Sequence, residues 1–121
     1  MTPEELARGV EKLMRSHDGK KWLRRFGAES WTDGPCSLLA FALYILDGAK
    51  GKIIVIDGGC HYVYRRGWFC IDGDGLSKWS EMRRRWEEII GAPFTVGEED
   101  NAAWHLDSDS IQVLNLLRRY I

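Results

Sequence analysis

Residues 33 to 43 read DGPCSLLAFAL. Gly34 and Pro35 break the chain, Cys36 follows, and from Cys36 to Asp47 the run CSLLAFALYILD is apolar on almost every side. The length of that run and its Leu and Ala content predict a helix that lies in the core and ends near Gly48. A thiol therefore opens a buried helix, and two readings of it stand. Free cysteine is a small hydrophobe and is often buried. A helix N-terminus also offers unpaired N–H groups and partial positive charge, which favour thiolate over thiol.

The remainder of the chain bounds the choice. At 121 residues the size fits one domain, 1–121, with one core. Within it we expect a helical segment over 1–30, the Cys-bearing helix and strands over 31–75, and helices over 76–121. Lys and Arg number 17 against 18 Asp and Glu, so no overall field selects nucleic acid, a membrane surface or an acidic partner. The start, MTPEELARGVEKLM, is charged throughout. It reads as neither signal peptide nor membrane span, and a cytoplasmic location is expected. Three cysteines at no metal-like spacing are expected to be free thiols, with no metal and no cofactor.

Thr2, Pro3 and Glu5 form a helix-start signature, and Leu6, Val10, Leu13 and Met14 follow on one face, predicting a helix over 3–15. A second short helix is expected from Asp18 to Phe26, stopped by Gly27, with Lys20, Lys21, Arg24 and Arg25 as its solvated face. KIIVIDGG is a strand closed by a Gly-Gly turn, and CHYVYRRGWFCID continues as two strands about Arg66-Gly67. Three consecutive antiparallel strands result. After GDG, Trp79, Met82, Trp86 and Ile89 or Ile90 recur at helical spacing, leaving Arg83, Arg84 and Arg85 largely on the other sides. PFTV reads as a further strand, GEEDNAAWHLDSD as an acidic loop, and Ile111 to Tyr120 as a closing helix entered through Ser108 or Asp109.

If the hairpin turns on Arg66-Gly67, Arg65 pairs with Trp68 and, counting outward, His61 with Asp72. Opposed residues on one sheet face have Cβ atoms roughly 5 Å apart. The carboxylate can then hold one imidazole nitrogen and leave the other free, which is the base-and-orienter half of a nucleophilic triad. Cys36 supplies the other half once its helix packs on the face bearing His61 with its N-terminus at the His61 end. Cys60 and Cys70 are the rival thiols, but strand cysteines lack the helix-terminus field. Zinc held by Cys60, His61 and Cys70 would need adjacent strand residues to converge, whereas they point to opposite faces. Asp74, within GDG, reads as a turn residue, and His17 and His105 as surface or loop residues.

DGPC opening an apolar helix, then HYVY, then GWFCIDGDG, resembles the papain-like cysteine peptidase superfamily over roughly residues 31–75. In compact bacterial and phage members a Cys-led helix precedes a strand that starts with His and a neighbour that ends in Asp. The D-G-x-C spacing is also similar to ovarian-tumour-type deubiquitinases, whose loop before the cysteine helps form an oxyanion hole. The resemblance implies an α+β papain-like fold, with Cys36 as nucleophile, His61 as general base and Asp72 as the residue that orients the base. Asp33 and Gly34 match the loop. Papain's upstream glutamine has no counterpart, since the only glutamine here is Gln112, and backbone N–H groups including that of Cys36 would replace it.

The expected function is thiol-dependent hydrolysis or acyl transfer at an amide or isopeptide bond of a protein substrate, with Trp31 and Trp68 placed to clamp an extended chain. The alternative is a catalytically silent papain-like binding module, such as a phage or mobile-element factor that inhibits a host protein, because six tryptophans exceed what so small a core readily buries. Nucleic-acid binding through Arg83 to Arg85 ranks last, and no membrane partner is expected.

Overall fold

The structure is a computed structural model that describes residues 1–99 and 107–121. Helix α1 (Pro3–Arg15) opens with Thr2 Oγ1 accepting the Glu5 N–H at 3.1 Å and Glu5 Oε1 accepting the Thr2 N–H at 3.0 Å. Two of the unpaired donors of a helix start are thereby satisfied reciprocally. Leu6, Val10 and Leu13 are fully buried, each contributing about 2 kcal/mol by removal from water. Ser16 ends α1 and caps α2 (His17–Phe26) through the Gly19 N–H at 2.9 Å, so α2 begins one residue before the expected Asp18.

Helix α3 (Cys36–Leu46) buries seven of its eleven residues. It leads into a five-stranded sheet, β1 (Lys52–Ile56), β2 (His61–Arg66), β3 (Phe69–Asp72), β4 (Gly75–Lys78) and β5 (Val96–Glu99), with α4 (Trp79–Ile90) before β5 and α5 (Ser108–Arg118) closing the described chain. The strand order is β4-β3-β2-β1-β5, antiparallel throughout. The architecture is α+β, with the Cys-bearing helix packed on the sheet among flanking helices. Among the described residues no helix is long and apolar enough to cross a membrane.

Three expectations are corrected. The sheet gains β4 after Asp74, and the further strand expected over PFTV lies later, as β5 from Val96 into the stretch expected as an acidic loop; both are four-residue edge strands, too short and too polar to show a period-2 pattern. The rest of that stretch, residues 100–106 with Trp104 and His105, lies outside the described residues. The β2–β3 hairpin turns on Gly67-Trp68, with Arg66 opposite Phe69 and Tyr64 opposite Ile71. Gly67 has φ 62, a value that costs glycine nothing and that Arg66 would resist. The pairing is therefore offset by two residues from the expected one, which keeps every side chain on its expected face.

The third correction concerns the two faces. α3 packs on the face carrying Ile53, Tyr62, Tyr64 and Ile71, together with α1 and α5. The face carrying Ile54, Ile56, Val63 and Cys70 is covered by Met82 and Trp86 of α4. Because His61 lies opposite Ile56 in the ladder, it belongs by alternation to the α4 face, not to the face on which α3 lies.

The C-terminal end of α3 is tied to the sheet by a buried polar cluster. Tyr64 Oη donates to Asp47 Oδ2 at 2.5 Å and accepts the Gly51 N–H at 2.8 Å, and Arg66 Nη1 donates to Asp47 Oδ1 at 3.0 Å. Burial, together with the Asp47 carboxylate beside the phenol, pushes the Tyr64 proton affinity well above its ordinary value. Tyr64→Phe strips a partner from both a buried carboxylate and the Gly51 N–H. It is expected to cost about 2 kcal/mol, read as a lower denaturant midpoint with an unchanged slope.

Candidate active site

His61 and Asp72 meet on the α4 face of the sheet. Their pairing is not the direct opposition expected: with the observed register, Asp72 faces the Val63 side of β2 and reaches His61 diagonally. Nε2 of His61 donates to Asp72 Oδ2 at 2.9 Å, with both side chains almost wholly buried. Asp72 Oδ1 accepts the Asp74 N–H at 2.8 Å, so each carboxylate oxygen is engaged. Among the described residues the other ring nitrogen, Nδ1, makes no hydrogen bond of ordinary geometry. The group that acts on the ring besides Asp72 is the Cys36 thiol.

Cys36 reaches this point because α3 runs with its N-terminus toward the start of β2. Pro35 precedes it as a cap that donates nothing, no side chain caps the helix, and its first turn holds no acid. The first bond of the helical ladder is Leu39 N–H to Pro35 O at 3.0 Å, so the N–H groups of Cys36, Ser37 and Leu38 precede that ladder. Burial pushes the Cys36 thiol up, but the His61 imidazole and the backbone N–H groups of Tyr62 and Gly34 outweigh it and hold the thiol below its ordinary value. Burial likewise opposes the His61 imidazolium, yet Asp72 and Cys36 raise its proton affinity to about 9. A thiolate beside an imidazolium is the state these shifts favour, and the two groups titrate as a pair.

The other thiols differ. Cys70 is buried and lifted to about 12 by that burial. Cys60 is exposed on the turn between β1 and β2. Gly34, φ 113, places its N–H near the Cys36 sulfur, and its neighbour Asp33 is exposed, bonded through its N–H to Ser30 O at 3.3 Å. Trp31 does not lie open beside the thiol: it is 3% exposed and stacks on Trp22 at 5.2 Å. Trp68 is 76% exposed but sits at the hairpin turn, the length of β2 away from His61, about 17 Å along a six-residue strand. The structure thus brings Cys36, His61, Asp72 and the Gly34 backbone together, with Trp31 buried beneath the loop and Trp68 at the far end of β2.

Two neighbours of the site were not legible as such. The Trp86 ring stacks on His61 with centroids 4.0 Å apart and planes 17° from parallel. Arg85, expected on the outer face of α4, instead points its Nη2 to within 3.6 Å of Asp72 Oδ2 and its Nε to within 3.8 Å of Asp74 Oδ2. Helical spacing assigned Trp86 to a buried stripe, but nothing in spacing says which sheet face that stripe covers. No family model, no curated protein and no solved structure matches the chain.

Two outcomes are expected. Iodoacetamide at about pH 6 should label Cys36 ahead of Cys60 and Cys70, since the His61 imidazole and backbone N–H groups hold the Cys36 thiol below its ordinary value, and His61→Gln should move its reactivity toward that of an ordinary thiol. Peptide mass spectrometry over a pH series reads both, and equal labelling of the three cysteines would count against the coupling. The second outcome concerns stability. His61 has its folded-state affinity raised from 6.5 to about 9, so its contribution is fully present below the unfolded value and is lost as pH rises through about 9. The stability gap between wild type and Asp72→Asn should accordingly be widest near pH 6 and narrow toward pH 9.

Proposed function

We propose that the chain is a thiol-dependent hydrolase or acyl transferase of papain-like cysteine peptidase type, acting on an amide or isopeptide bond of a protein substrate. The observation that carries this reading is the His61 ring: Nε2 is committed to Asp72 at 2.9 Å, while the ring couples to the Cys36 thiol at the uncapped start of α3. In this scheme the Cys36 thiolate attacks the carbonyl carbon. The carbonyl oxygen takes up the negative charge beside backbone N–H groups of the first turn of α3. Collapse breaks the C–N bond, and the His61 imidazolium gives its proton to the leaving nitrogen. The resulting thioester is then attacked by water or an acceptor amine whose proton passes to neutral His61, and Cys36 is released as thiolate. Asp72 orients the ring and stabilises the imidazolium in both halves. In this scheme Gly34, whose N–H acts on the Cys36 sulfur, and its exposed neighbour Asp33 form the rim that meets a substrate backbone.

A second reading, a silent papain-like module that binds and inhibits a host protein, is favoured by one observation. Cys36 is only 7% exposed, His61 is fully buried, and Trp68 is the most exposed tryptophan among the described residues. Such a module keeps the cluster as a buried polar network and presents its aromatics to a partner.

Turnover separates the two. Hydrolysis or aminolysis of a fluorogenic amide and isopeptide panel should vanish in Cys36→Ala and fall about 10²- to 10⁴-fold in His61→Ala. Cys36→Ala should also retain a protein substrate that wild type releases. Activity that survives Cys36→Ala would overturn the hydrolase reading. A folded wild type inert toward the whole panel, with Trp68→Ala abolishing capture of a protein partner, would establish the second reading.

A further inference from the structure

Asp72 is surrounded more heavily than a simple orienter of an imidazole needs to be. Its Oδ2 accepts from His61 at 2.9 Å and lies 3.6 Å from Arg85 Nη2, while its Oδ1 accepts the Asp74 N–H at 2.8 Å. Arg85 Nε lies 3.8 Å from Asp74 Oδ2. Both of these guanidinium nitrogens are buried and, among the described residues, unpaired by any hydrogen bond. A guanidinium in a purely structural ion pair engages a carboxylate through a bidentate fork. Here it stands off between two carboxylates and leaves Oδ2 to the imidazole. The adjacent residue, Trp86, stacks on His61, so one turn of α4 delivers both a cover for the ring and a cation for its partner.

We propose that Arg85 is a positioning residue of this site: held between Asp72 and Asp74, it fixes the Asp72 carboxylate toward His61 and supplies the positive charge that balances the cluster. The inference rests on the reading of Cys36, His61 and Asp72 as an acyl-transfer centre and adds the group that tunes it. With thiolate and imidazolium formed, the centre holds Cys36 and Asp72 negative and His61 positive, and Asp74 adds a second carboxylate at the turn. Arg85 from α4 offsets one of these. The other ionisable groups on this face include Cys70 of β3, Arg65 of β2, which is occupied over the Trp79 ring at 4.2 Å, and Lys52 of β1, which lies opposite Arg65 in the ladder at the far end of β2 from His61. Arg83 of α4 is engaged by Glu87 at 3.1 Å. Besides Lys52, β1 presents Ile54 and Ile56 there, and β4 presents Ser77. Without Arg85 the field at the thiol becomes more negative, so proton release from Cys36 and from the His61 imidazolium both require higher pH.

The experiment is the pH profile of Cys36 alkylation by iodoacetamide in wild type, Arg85→Met, Arg85→Lys and Asp74→Asn, with a thermal melt of each. Arg85→Met should shift the acid limb upward by about half a unit, a roughly threefold slower reaction at a fixed pH on that limb. Arg85→Lys retains the charge and should restore the limb. Asp74→Asn, at an exposed turn, removes a negative charge and should shift the limb downward; it carries the test if Arg85→Met does not fold. A profile of Arg85→Met superimposed on wild type, a Lys variant that shifts as far as Met, or an upward shift in Asp74→Asn would each overturn the proposal. These outcomes presuppose a wild-type limb below that of a peptide thiol. A wild-type profile equal to a peptide thiol would instead overturn the acyl-transfer reading, and this inference with it.

Discussion

The hydrogen bond between His61 Nε2 and Asp72 Oδ2 is the constraint around which the described structure is organised. Both groups are almost wholly buried, and a buried carboxylate costs several kcal/mol unless every lone pair finds a donor. The surrounding residues supply what is needed. The Asp74 N–H takes the second oxygen, the Arg85 guanidinium adds charge from α4, and the Cys36 thiol adds its own pull on the ring. Removing His61 or Asp72 leaves the other as a buried group without its partner, so the pair ties β2 to β3 at this end of the sheet. Trp86 closes the arrangement by displacing water from the imidazole face.

How the sequence announces this depends on range. The start of α1 was legible because a capping box is local: Thr2 and Glu5 are three residues apart and bond only each other's backbone. α3 was legible because eleven residues of nearly unbroken apolarity admit few alternatives. His61 and Asp72 could be paired because strand alternation survives a register error of two, and that is the error made. An error of one would have sent them to opposite faces. What was not legible is of another kind. β4 and β5 are short edges whose pairing, not their composition, makes them strands. The α4 face, and with it Arg85, depended on which side of the sheet the helix docked, a long-range choice that no local pattern encodes.

That choice has a consequence for the site. α3 and α4 lie on opposite faces of one sheet, yet each contributes to the same cluster, because Cys36 is the first residue of its helix and His61 the first of its strand. The thiol therefore meets the imidazole at the end of the sheet and not through it. A cysteine one turn further along α3 would face the Tyr62 and Tyr64 side and never reach the ring. The position of the thiol at the helix start is thus demanded by geometry as well as by the field of the helix terminus.

The same end of the sheet also explains why a glycine follows Asp72. A Cβ on Gly73 would lie 2.9 Å from Thr32 Cγ2 and 3.0 Å from both the backbone carbon and the Cβ of Trp31. The turn that carries Asp72 and Asp74 is therefore pressed against the loop that leads through Asp33, Gly34 and Pro35 to Cys36. Trp31, stacked on Trp22 in the core, makes that loop rigid from below. The loop that leads to Cys36 and the turn that carries Asp72 are accordingly one packed unit, joined by a contact at Gly73 that a side chain would crowd. The separation of Cys36 from Asp72 is set there, with His61 fitted between them. The burial of Trp31, read from sequence as a substrate clamp, is what this unit requires: the ring, stacked on Trp22, holds the loop in place from the core side.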